Sequence, residues 1–197
     1  MGSLVTAPVA LLRHPDCGAD AIRGIEVYVQ RSPGGALSLQ YVLAGDASAV
    51  SMPPEAWAEL RDADAAARSS APVDARRADE LWRHTCFEVF VTGRGGSYVE
   101  FNFAPARAWA GYRFSGYREG MTALEQQRAP DIQLQRTAHG LALHATVLLP
   151  EPQRHALARA ALAAVIEDTS GRLSYWALRH PPGRPDFHHP SSFGLEI

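Results

Sequence analysis

The chain has 197 residues, 19 of them Arg or Lys and 21 Asp or Glu, for a net charge of −2. A near-neutral balance lacks the basic surface that phosphate neutralisation requires, so nucleic acid is not expected as a partner. An apolar share of 46% and a charged share of 20% are ordinary for a globular protein. A chain of this length buries roughly 70% of its unfolded surface, which is enough to fold without a metal or a disulfide.

Cys17 and Cys86 are too few for a disulfide framework, and Cys86 lies within an apolar strand where a buried thiol is expected. The first apolar run is interrupted by Pro8, Arg13 and His14 and lacks a basic leader, so it does not read as a signal peptide. No apolar run approaches the ~20 residues that cross a bilayer. These features set the expectation of a cytoplasmic protein with no membrane partner, organised as one domain over residues 1–197.

In chain order, residues 4–12 form a short apolar segment that reads as an edge strand. IEVYVQ (25–30) and LSLQYVL (37–43) alternate about the turn Ser32-Pro33-Gly34-Gly35, which predicts a hairpin. Residues 53–79 are rich in Ala, Asp and Arg. A helix is expected after Pro53-Pro54, with Trp57 and Leu60 at i and i+3, and the remainder reads as a surface insertion.

The stretch 81–119 is the most informative. Phe87, Val89 and Val91 alternate with Glu88; after Gly93–Gly96, Val99, Phe101 and Phe103 alternate with Tyr98, Glu100 and Asn102. In a third strand, Ala110, Tyr112 and Phe114 form the apolar set, opposite Trp109, Arg113 and Tyr117. Ile132–Arg136 and Leu141–Leu149 predict another hairpin through His139-Gly140. QRHALARAALAAVIED (153–168) has helical spacing and is expected to be the one long helix. Leu173–Leu178 reads as a strand, and Phe193–Ile197 as a short one. The fold class expected from this pattern is mainly β, an antiparallel β-sandwich with one long helix near residues 153–168.

Three segments carry a family likeness: LWRHTCFEVFV (81–91), YVEFNFAPARAWAGYRFSGYREGM (98–121) and SYWALRHPPGRPDFHHPSSFGLEI (174–197). Together they resemble the DOMON-like bacterial proteins, relatives of the family-nine carbohydrate-binding modules and of haem-binding DOMON domains. The resemblance implies a sandwich of the immunoglobulin or jelly-roll kind, with a sugar or a haem on the concave face of one sheet. The insertion at 53–79 is longer than the family pattern needs.

The candidate ligand-binding set is Trp82, His84, Glu88, Glu100, Asn102, Arg113, Tyr117, Arg118, Trp176 and His180. Carboxylates, amides and Arg hydrogen-bond sugar hydroxyls, and aromatic rings stack on the apolar face of the ring. The same polar residues would equally form a solvated face or a buried Glu–Arg network. Glu88 and Glu100 also offer an acid–base pair for a hydrolase, and Asp186, His188 and His189 offer ligands for a divalent metal, although their spacing matches no established zinc motif. Haem would draw an axial ligand from Met52, Met121 or a His. There is no GxSxG, and the Gly-rich stretches precede no helix, so a nucleophile elbow and a phosphate cradle are not expected. The sequence therefore points to a binding domain for a small molecule, with a sugar as the leading ligand, rather than to an enzyme, and to no cofactor required for folding.

Overall fold

The computed structural model describes residues 4–5, 7–18, 21–66, 75–125 and 128–197. The chain is mainly β. Its described strands are β1 (Leu4–Val5), β2 (Val9–Arg13), β3 (Ile22–Arg31), β4 (Ala36–Gly45), β5 (Arg76–Arg77), β6 (Cys86–Thr92), β7 (Tyr98–Phe103), β8 (Ala108–Phe114), β9 (Thr122–Ala123), β10 (Asp131–Thr137), β11 (Gly140–Leu148), β12 (Arg159–Glu167), β13 (Leu173–Ala177) and β14 (Leu195–Glu196). Among the described residues one α-helix, α1, spans Pro54–Ala66.

Eleven of these strands join in a continuous path, β10-β11-β4-β3-β2-β13-β12-β6-β7-β8-β5. The path curls, because the inward residues of its two halves meet in one apolar core. Ile25, Val27, Val29, Leu39, Tyr41 and Leu143 come from one half; Phe87, Val89, Phe101, Phe103, Leu162 and Ile166 come from the other. Tyr41 marks the contact, with its hydroxyl donating to the Glu88 carbonyl at 2.7 Å and its ring 5.2 Å from that of Phe87. Alternation along each strand determines which residues enter this core. The two predicted hairpins form, as β3–β4 and β10–β11.

The helix expected over 153–168 does not exist. Residues 151–156 make turns, and Arg159–Glu167 is the central strand β12, paired to β13 on one side and β6 on the other. Ala160, Leu162, Ala164 and Ile166 face the main core, while Ala161, Ala163 and Val165 face a second apolar layer. A strand buried on both faces reads as an unbroken apolar run, which spacing alone does not separate from a helix. Leu157, within that stretch, is 99% exposed. The long helix is instead α1, inside the stretch read as an insertion. Residues 67–74 of that stretch lie outside the described residues. Among the described residues, no helix is long and apolar enough to cross a membrane.

Candidate ligand site under the C-terminal strap

The outer face of β8-β7-β6-β12-β13 carries a second apolar cluster, and residues 178–194 run across it as a strap. Phe90, Tyr98, Tyr112, Phe114, Ala161, Ala163 and Val165 come from the sheet, and Phe187 and Phe193 from the strap. Four prolines at 181, 182, 185 and 190 stiffen the strap and remove backbone donors that an irregular segment cannot pair.

Three polar side chains lie within this layer: Glu88, Glu100 and Asn102, exposed by 2%, 4% and 0%. Strand register brings them together. Glu88 faces Asn102 across β6–β7 and Ala163 across β6–β12, while Glu100 faces Phe90 and Tyr112. Directly opposed residues on adjacent strands lie about 5 Å apart at Cβ. Asn102 Nδ2 donates to Glu100 Oε1 at 2.8 Å. Glu88 Oε1 and Asn102 Oδ1 are fully buried without a hydrogen-bond partner.

Burial dominates the electrostatics. It pushes Glu88 well above the carboxylate range, and the charge of Glu100 pushes the same way. Burial raises Glu100 to about 7, against the opposing pull of the Asn102 hydrogen bond and the Arg118 charge. Two neighbouring carboxyls in an apolar layer do not both ionise, so the pair retains a proton near neutrality.

The strap is fastened at two points. Asp186 accepts from the Tyr117 hydroxyl, from Arg118 Nη2 at 2.8 Å and from the His188 backbone N–H at 3.1 Å. Burial alone would raise the Asp186 carboxyl; the bonds from Tyr117 and Arg118 outweigh it and leave the group lowered. His188 is the second fastening. Its ring lies against Phe90 at 5.0 Å and Phe114 at 5.2 Å, and its Nδ1 is 2.8 Å from the Tyr98 hydroxyl. That hydroxyl also accepts from the Arg118 N–H at 3.2 Å. The other ring nitrogen, Nε2, lies 3.9 Å from Glu100 Oε2. Burial and the Arg118 charge lower His188 to about 4, opposed by Asp186, so it is neutral near pH 7.

The structure therefore gathers Glu88, Glu100 and Asn102 with the strap residue His188, and sets Tyr117 and Arg118 beside them as the clasp on Asp186. Trp82 borders the layer, its ring 5.8 Å from Tyr112. Other candidates fall elsewhere. Arg113 sits opposite Val99 and Thr122 on the other face of β8 and is exposed. Trp176 points into the main core, its Nε1 donating to Ser174 Oγ at 3.0 Å. His84 is exposed and 2.8 Å from Glu167 Oε2. His180 stands 2.8 Å from the Leu12 carbonyl and edge-on to His14.

The metal set separates as well: Asp186 is engaged by the clasp, His188 by Tyr98, and His189 Nδ1 by Ser191 Oγ at 2.7 Å. Among the described residues, no three His, Cys, Asp or Glu side chains converge on a metal position. Met52 packs against the main core, and Met121 is exposed.

Sequence reasoning missed Tyr98 and Tyr112 as site residues. The available signal was parity: Tyr98 shares its face with Glu100 and Asn102 at i+2 and i+4. Tyr112 was set aside with the apolar residues because the register between β7 and β8 is not written in either strand alone.

No protein-family model matches the chain, and no curated protein matches it in sequence. Among solved structures, one that matches is the crystal structure of a proposed carbohydrate-binding protein from Bacteroides uniformis. The match covers 95% of this chain and 84% of that one, with a TM-score of 0.55 and 14% identity. At that identity the likeness is one of fold.

Proposed function

We propose that this chain is a ligand-binding domain of the DOMON-like β-sandwich kind, taking a carbohydrate or other small polar molecule at Glu88, Glu100 and Asn102 beneath the strap. The observation that carries the reading is the pair of unpartnered acceptors, Glu88 Oε1 and Asn102 Oδ1, on facing positions of β6 and β7. A buried acceptor with no donor costs about 1–3 kcal/mol, and two side by side form a place where a donor-bearing molecule gains what the fold leaves unmade. Sugar hydroxyls supply such donors, and the Trp82–Tyr112 pair supplies rings for the apolar face of a pyranose. The strap closes the site, and entry proceeds by release of its clasp on Asp186. The fold shared with the Bacteroides uniformis protein supports the carbohydrate assignment.

The test is a thermal-shift and calorimetric screen with mono- and disaccharides. A ligand at a hundredfold excess over its Kd stabilises by about 2.7 kcal/mol. The shift is expected to be lost in Glu88→Gln and Asn102→Ala. It is expected to persist in Arg113→Ala, which alters the opposite face. A shift unaffected by Glu88→Gln, or absent for every sugar, rejects this site.

One observation favours a second reading. A carboxyl that stays protonated near neutrality suits a general acid, so a Glu-dependent hydrolase is the alternative. Turnover of aryl glycosides, abolished by Glu88→Gln, would establish it.

A further inference from the structure

The hydrogen-bonding inventory under the strap is weighted towards acceptors. Two buried oxygens on adjacent strands have no hydrogen-bond partner, Glu88 Oε1 and Asn102 Oδ1, and Glu100 Oε2 lies 3.9 Å from His188 Nε2, beyond hydrogen-bond reach. The nearby hydroxyls and guanidinium are engaged elsewhere. The Tyr41 hydroxyl serves the Glu88 carbonyl, that of Tyr98 is paired with His188 Nδ1, and that of Tyr112 serves Asp79 Oδ1 at 2.7 Å. The Arg118 guanidinium, the cation that acts on Glu100, is held by Asp186. The floor beside these oxygens is lined by Ala110 and Ala163, the strand partners of Asn102 and Glu88.

A neutral sugar hydroxyl both donates and accepts, and a site built for it normally offers both. This site is weighted towards acceptors, two of them on carboxyls that together retain one proton near neutrality. An ammonium is the complementary group: three donors, no acceptor and a positive charge. We infer that the ligand enters by a primary ammonium group, whose three N–H bonds engage Glu88 Oε1, Asn102 Oδ1 and Glu100 Oε2; in the carbohydrate reading it is an amino sugar. The inference rests on the site proposed above and narrows its ligand class. Binding of a cation is coupled to release of the proton that burial keeps on the carboxyl pair, so the affinity is expected to rise with pH.

The experiment is calorimetric titration of the full chain with four probes: D-glucosamine, N-acetyl-D-glucosamine, D-glucose and ethanolamine. Glucosamine is expected to bind at least tenfold more tightly than glucose or N-acetylglucosamine, in which the ammonium is absent or acylated. Glu88→Gln, which keeps the shape and removes the charge, is expected to weaken glucosamine at least tenfold. Asn102→Asp is expected to strengthen it. Melting curves of both variants confirm that they fold.

Glucose binding as tightly as glucosamine overturns the ammonium inference and leaves the sugar reading standing. Ethanolamine binding as tightly as glucosamine, with no glucose binding, upholds the ammonium and overturns the sugar. Glucosamine binding indifferent to both substitutions, or no binding by any probe, overturns the inference together with the site.

Discussion

The Tyr98 hydroxyl lies 2.8 Å from His188 Nδ1, and this bond ties the strap to the middle of the sheet. Through it, an imidazole on an irregular segment is brought to the edge of a buried carboxyl pair. The two kinds of group titrate in the same interval with opposite consequences for stability.

The first prediction concerns that opposition. Glu100 is raised in the fold from 4.5 to about 7, so its contribution to stability is complete below pH 4.5 and is lost as pH rises through 7. His188 is lowered from 6.5 to about 4, so its contribution is complete above pH 6.5 and is lost as pH falls through 4. Each shift corresponds to about 3 kcal/mol. Relative to wild type, Glu100→Gln is expected to lose stability towards acid more steeply, and His188→Gln towards neutrality. Denaturant titrations from pH 4 to 8 read this directly; parallel profiles for all three proteins reject the assignment.

The clasp predicts protease sensitivity. Asp186→Asn removes the charge that holds Tyr117 and Arg118 to the strap. Arg118 is about half exposed, so the global cost is expected to be only about 1 kcal/mol. The local effect is larger, and the strap carries a trypsin site at Arg179, whereas Arg184 is protected by the following Pro185. Limited trypsin digestion followed by mass spectrometry is expected to show faster cleavage after Arg179 than in wild type. Equal rates would mean that the clasp does not hold the strap.

Tyr41→Phe tests the contact between the two halves of the curled sheet. It deletes one buried hydroxyl and leaves the Glu88 carbonyl without that donor. The expected loss is about 1–2 kcal/mol, seen as a lower urea midpoint with an unchanged slope.

Arg31→Met tests how the turn before β12 is held. The buried Arg31 guanidinium donates to the carbonyls of Gln153, Ala156 and Ile197 at 2.6 to 2.9 Å. Met fills similar space but supplies no donor, so a loss of about 3 kcal/mol is expected by chemical denaturation. A change below 0.5 kcal/mol would show that water replaces the guanidinium.

The sequence by itself determined the β-rich class, the hairpins β3–β4 and β10–β11, and the shared face of Glu100 and Asn102, because period-two alternation is a property of a single strand. It also marked Glu88 as polar in an apolar run. Three features were decided only by tertiary structure. Residues 159–167 became a strand because β6 and β13 pair with both edges and apolar layers cover both faces; an Ala-rich segment takes its state from such neighbours, since its intrinsic helix preference is under 1 kcal/mol per residue. Arg113 went to the opposite face and Tyr112 to the site because cross-strand register, not local pattern, pairs Glu100 with Tyr112. The strap, rather than a helix, covered the carboxyls because Asp186 and His188 find their partners about 70 to 100 residues away, at Tyr117, Arg118, Tyr98 and Phe90. Alternation is local and is written in the chain; register, burial on both faces and cover are agreements between distant segments, and only the folded arrangement expresses them.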